Sequence, residues 1–226
     1  MEAHYLDSEV FIRSMATRGS QGGLPRIIKG VVRLLDAGGK DVILVETVGV
    51  GQTELDIMGV GDTVIVTLVP EAGDSIQAFK AGLMEIGDIF VVNKSDRPGA
   101  DQMVAIINSF VGTGDSKGSW TPPILATQAT SGQGISRLYE KLHEHRAYLS
   151  SSHQLEERRR ERRAGEFFEV LQEGLGLKLR ELLNVNHRLA ALSDEVKRGK
   201  LEPYSAGMKL LEQVSLDLLF HRMKSI

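Results

Sequence analysis

Asn93, Lys94 and Asp96 follow the apolar run Ile89-Phe90-Val91-Val92 in the order Asn-Lys-x-Asp. A carboxylate in that place can accept hydrogen bonds from the ring N–H and the exocyclic amine of guanine, while the lysine stem lies along the plane of the base. Adenine lacks that pair of donors, so such a site rejects it by leaving buried polar groups unpaired. The tetrapeptide also suits an ordinary strand-ending turn, where Asn and Asp are common. Glu46-Thr47-Val48-Gly49, one strand–helix unit earlier, favours base reading. There Glu46 can hold Mg²⁺ directly or through water, and Gly49 lets a backbone N–H approach a γ-phosphate without a side chain in the way. The plainer alternative is a tight strand-to-helix turn with an exposed Glu46. Gln52, just beyond, can orient a water or simply be solvated.

A third segment completes the set. Thr127-Gln128-Ala129-Thr130 and the small residues up to Gly134 follow one apolar run and precede a helical pattern. A loop so placed can back a guanine ring with main-chain N–H groups; away from Asn93 it would read as an ordinary turn. Near the start, Arg13 and Arg18 flank small hydroxyl residues, which suits either phosphate proximity or plain solvation.

These residues need a scaffold that gathers them. Val42-Ile43-Leu44-Val45, Val64-Ile65-Val66 and Ile89-Phe90-Val91-Val92 show no in/out alternation, so they predict strands covered on both faces of a parallel sheet. The expected strands are 41–47, 63–69 and 88–92, with short ones at Val10-Phe11-Ile12 and 122–126. Chemistry in such sheets gathers at the carboxyl ends of the strands, where Glu46 and Asn93 fall. Helices are predicted over 24–35 (Pro25 at its start, Gly38-Gly39 as its stop), 76–86 (capped by Asp74 or Ser75), 101–111 and 135–148. Residues 112–119 read as a polar insertion.

Composition shifts at Ser150-Ser151-Ser152, which divides the chain into 1–150 and 151–226. The second part predicts helices over 153–183, 187–198 and beyond Pro203. Its last helix carries the apolar stripe Leu210, Leu211, Val214, Leu218, Leu219, which needs another helix or another subunit to cover it. The arginines at 158–160 and 162–163 read as a solvated face.

The chain has 226 residues, 42% hydrophobic and 25% charged, enough for one sizeable core with an appendage. A formal net charge of -3 gives no basic excess for nucleic acid, and zero cysteines exclude disulfides and thiolate chemistry. The sequence has neither a leader-like N-terminus nor the roughly 18 consecutive apolar residues of a membrane span. A cytoplasmic or organelle-matrix protein is expected.

Nucleotide-binding sheets of this class hold phosphates with a Gly-x-x-x-x-Gly-Lys-Ser/Thr loop. These 226 residues contain none, since Gly39-Lys40-Asp41 and Gly199-Lys200-Leu201 lack the hydroxyl and the first glycine. Together, the segments Phe11 to Gly19, Val45-Glu46-Thr47-Val48-Gly49-Val50-Gly51-Gln52-Thr53-Glu54 and Asn93-Lys94-Ser95-Asp96 resemble the MeaB/ArgK family of P-loop GTPases. The likeness covers nearly the whole chain.

The resemblance implies an α/β fold with a mostly parallel sheet, lacking the first strand and P-loop, and a C-terminal helical arm that forms a homodimer. It implies GTP and Mg²⁺ as ligands, and a chaperone role toward an adenosylcobalamin-dependent mutase of the methylmalonyl-CoA mutase type. Glu46 would stand near Mg²⁺, Gly49 would face the γ-phosphate, and Asn93, Lys94 and Asp96 would read the base. Gln128-Ala129-Thr130 stands where the family has Ser-Ala-Leu, so its contact would rest on backbone groups. Gly73, Asp74 and Lys80 would lie in the segment that signals nucleotide state to the mutase. The missing front suggests a truncated member. Its rivals are a non-catalytic mutase-binding and dimerisation module, or a non-functional fragment.

Overall fold

Three short apolar segments build the sheet. β1 (Ile65–Leu68), β2 (Ile89–Asn93) and β3 (Ile124–Thr127) lie in the order β1-β2-β3. Both pairings are parallel, with Ile65 opposite Ile89 and Asn93 opposite Thr127, so all three strands finish at one edge. The computed structural model describes all residues except 1–3, 5, 17–23, 26, 48–53, 71–82, 112–119 and 214–226.

The helices follow the periodicity of the sequence. They are α1 (Ile28–Ala37), α2 (Leu83–Ile86), α3 (Ala100–Val111), α4 (Ile135–Ser151), α5 (Gln154–Val185), α6 (His187–Lys197) and α7 (Pro203–Gln213), with a 3₁₀ helix at Glu54–Gly59. α1 stops where Gly38 and Gly39 follow, and Gly39 takes the left-handed φ of 78° that glycine adopts without steric cost. The predicted cap residues Asp74 and Ser75 lie outside the described residues, as does the insertion 112–119.

Only the central strand is covered on both faces, as its unbroken apolar run requires. Phe90 and Val92 pack with Val66, Leu68 and the α3 residues Met103 and Ile107. Ile89 and Val91 pack on the other side with Leu125 and the α4 residues Leu138 and Leu142. Gly87 leaves room for Phe90, since a Cβ there would fall 2.5 Å from its ring. In β1 and β3 burial alternates, with Thr67 and Ala126 exposed, so both-face coverage does not extend to them.

The sequence also predicts strands at 41–47 and at Val10-Phe11-Ile12, and neither joins the sheet. Val42 is 66% and Leu44 82% exposed, and Phe11 and Ile12 are more than half exposed. An apolar run states a preference for burial, whereas a strand also needs a neighbour with free N–H and C=O groups in register. Among the described residues these two segments have no such neighbour.

The chain divides into two compact units, 1–162 and 163–226. The break between α4 and α5, where His153 takes a left-handed φ of 60°, falls just after the shift in composition at 150–152. The division itself comes later, inside α5. In the second unit α6 and α7 are in contact, and Phe167, Phe168 and Leu211 are exposed. Of the predicted stripe, Val214, Leu218 and Leu219 lie outside the described residues.

Candidate functional site

The parallel register places the residues after β2 and β3 side by side. Asn93 is the last residue of β2, and its Oδ1 accepts hydrogen bonds from Thr127 Oγ1 at 3.3 Å and from the Ala129 backbone N–H at 3.2 Å. The Ser95 N–H donates to the Thr127 carbonyl at 3.0 Å, so the strand pairing continues one step into the loop. Lys94, between them, sits at φ 56°. That left-handed conformation disfavours a residue with a Cβ by about 1 kcal/mol. It turns the chain so that the Arg97 N–H reaches the Lys94 carbonyl at 3.0 Å, and α3 starts three residues later.

The facing loop closes on itself through a bond from the Gln128 N–H to the Gln133 carbonyl at 3.0 Å. Gly134 ends it at φ 79°, where a Cβ would lie 2.4 Å from the Ala126 carbonyl oxygen. Only glycine fits there, and it fixes how the loop returns into α4.

Between the two loops lies a cavity of about 150 Å³ lined by Asn93, Lys94, Asp96, Arg97, Gln128, Ala129 and Thr130. Lys94, Asp96, Ala129 and Thr130 are exposed, while Asn93, Arg97 and Gln128 are half-buried. A carboxylate acceptor, a lysine and a loop of main-chain groups thus converge at the carboxyl edge of the sheet. A carboxylate in that position can accept hydrogen bonds from paired N–H groups such as those on the edge of guanine.

The structure therefore brings together six of the residues singled out from sequence: Asn93, Lys94, Asp96, Gln128, Ala129 and Thr130. Glu46 is exposed and does not line this cavity. Gly49, Gln52, Gly73, Asp74 and Lys80 lie outside the described residues, as does Arg18, and Arg13 is exposed. Thr127 opens the loop that the sequence offers for the base, but only the register of β2 against β3 reveals that it meets Asn93. Arg97 is not among the residues singled out from sequence, yet it lines the cavity. Among the described residues no three His, Cys, Asp or Glu side chains come together.

Relatives decide which family builds this arrangement. Residues 1–182 match the family described as "Methylmalonyl Co-A mutase-associated GTPase MeaB". The chain belongs to the MeaB family. A Pyrococcus horikoshii member, which carries a provisional GTPase name, is 43% identical over 217 residues, spanning 95% of this chain and 68% of its own length. A Mus musculus member named "Methylmalonic aciduria type A homolog, mitochondrial" is 27% identical over 210 residues, 91% of this chain and 51% of the relative. The fold is shared with a crystal structure titled "LAO/AO transport system kinase", with a TM-score of 0.62 at 23% identity over 82% of this chain and 61% of that one. MeaB relatives are named as GTPases, so the expected enzyme class and the α/β fold both stand. No described helix is long and apolar enough to cross a membrane.

Proposed function

We propose that this chain reads the guanine base of GTP through Asp96 and the Gln128-Ala129-Thr130 loop, as the base-binding part of a MeaB GTPase that serves an adenosylcobalamin-dependent mutase. The observation that carries the reading is the single cavity shared by the Asn93–Arg97 and Gln128–Thr130 loops. Asn93 joins the two by accepting from Thr127 and Ala129, so the carboxylate of one loop keeps its place relative to the backbone of the other. Preorganisation of that kind gives selectivity, because ordering the loops costs nothing further at binding. Glu46 and Gly49 are assigned to Mg²⁺ and the γ-phosphate, and Gly73, Asp74 and Lys80 to coupling with the mutase. The Glu46 and Gly49 roles rest on their residue chemistry and on the family resemblance, and the coupling residues on the resemblance. The homodimer formed by the helical arm rests on the apolar stripe and the resemblance, and the cytoplasmic or organelle-matrix location on the sequence.

A second reading has its own support. The described residues supply a base-reading cavity, and the 226 residues hold no Gly-x-x-x-x-Gly-Lys-Ser/Thr loop. Phosphate contacts carry most of the charge neutralisation in nucleotide sites, so base contacts alone favour weak binding without turnover. Titration of the purified chain with a fluorescent guanosine diphosphate, competed with adenosine diphosphate, together with a phosphate-release assay on guanosine triphosphate, tests both readings. Guanine-selective binding with phosphate release at background is the expected result. Equal competition by the adenine nucleotide would remove the base-reading assignment, and turnover abolished by Glu46→Ala would remove the second reading.

A further inference from the structure

Three of the five arginines at the start of α5, Arg158, Arg159 and Arg162, are paired rather than simply solvated, while Arg160 and Arg163 are exposed. Arg159 donates to both carboxylate oxygens of Asp62, from Nε at 3.2 Å and from NH2 at 2.6 Å. Arg162 donates to the same carboxylate and also to the carbonyl oxygens of Val60 and Gly61. One turn earlier, Arg158 NH1 lies 3.3 Å from Asp88 Oδ1. Three side chains on one helix thus hold the segment 60–62 and the residue that leads into β2.

What they hold is itself anchored in the core. Asp88 Oδ2 accepts the Val64 N–H at 2.8 Å, and its carbonyl accepts Trp120 Nε1–H at 2.7 Å. His145 of α4 is fully buried against Trp120, with Nδ1 2.8 Å from Thr63 Oγ1. Its Nε2 lies 3.4 Å from Asp88 Oδ1, within ion-pair range but outside hydrogen-bonding geometry. These groups sit at the amino ends of β1 and β2, the opposite edge of the sheet from the guanine cavity.

The segment 60–62 directly continues the 3₁₀ helix Glu54–Gly59. We propose that Arg159 and Arg162 act as a clamp that makes residues 54–62 and the first turns of α5 one mechanical unit, so that a displacement of either is transmitted to the other. The arginine fork suits this use, because one rigid guanidinium spans two carbonyls and a carboxylate, whereas a flexible ammonium does not. The clamp goes beyond the guanine reading and does not depend on it.

Hydrogen exchange of the full 226-residue chain, followed by mass spectrometry and without nucleotide, tests the proposal. Arg162→Gln and Asp62→Asn attack the contact from opposite sides, and Lys178→Gln removes an exposed pair with Glu181 elsewhere on α5 as a control. Both clamp variants are expected to speed exchange roughly tenfold in peptides covering 54–64 and 154–162 together, with peptides over β2 unchanged and the control at wild type. Where Arg162→Gln also loosens β2, Arg162→Lys is read in its place. A rise in only one of the two segments, or in neither, overturns the proposal.

Discussion

Asn93→Ala removes the side-chain acceptor that ties the two loops together, and its cost can be worked from the geometry. Thr127 is 1% exposed, so its hydroxyl loses Asn93 Oδ1 with no access to bulk water. Leaving a buried donor unpaired costs about 1–3 kcal/mol. The 3.3 Å separation is long for an O–H···O bond, which points to the lower end of that range. Ala129 is exposed, and its N–H can turn to water at almost no cost. The expected loss is about 1–1.5 kcal/mol, or a drop of about 2–6 °C in Tm for a chain of this size. Asn93→Asp keeps both acceptor contacts, with charge assistance, and should stay within about 0.5 kcal/mol of wild type. Thermal melts by circular dichroism, paired with guanosine diphosphate titration, give both readouts. Asn93→Ala melting with wild type and binding unchanged would refute the account of how the cavity is held.

Lys94→Gly relieves the left-handed φ of 56° and should raise stability by about 0.5–1 kcal/mol while weakening nucleotide binding, which urea midpoints and titration would show together. Burial pushes the Asp62 carboxyl up, but hydrogen bonds and charge from Arg159 and Arg162 outweigh it and hold its pKa below the usual carboxylate value. A carboxyl depressed in the folded state stabilises the fold above its unfolded pKa of about 3.9 and loses that contribution as pH falls through the folded value. Asp62→Asn should therefore be less stable than wild type in urea at neutral pH, with the gap closing only below about pH 4; a gap independent of pH would contradict the ion pair. Leu211, 60% exposed on α7, should lie in a homodimer contact, so Leu211→Glu is expected to yield monomers in sedimentation while wild type sediments as a dimer.

Local signals served best where burial and turn chemistry coincide. The unbroken run at 89–92 is the one strand covered on both faces, and the Asn-Lys-x-Asp order after it lands at the strand end where a parallel sheet exposes its chemistry. The same kind of run at 42–45 gave a false strand, because pairing depends on a neighbour that periodicity does not encode. Thr127 and Asn93 meet through register, and His145 meets Thr63 across 82 residues of chain, so neither contact leaves a pattern in the local sequence. The arginines of α5 misled for a related reason. A charge run reads as solvated until Asp62, about a hundred residues away, is folded against it.

Asp96 carries the central claim, since in the proposed reading its carboxylate supplies the acceptors that distinguish guanine. Asp96→Asn turns one acceptor into a donor, which mispairs with guanine and suits the extra carbonyl of xanthine. Competition between guanosine and xanthosine nucleotides for wild type and Asp96→Asn is therefore the most direct measurement. Wild type should prefer the guanosine form and the variant the xanthosine form. A preference left unchanged by the substitution would contradict the account.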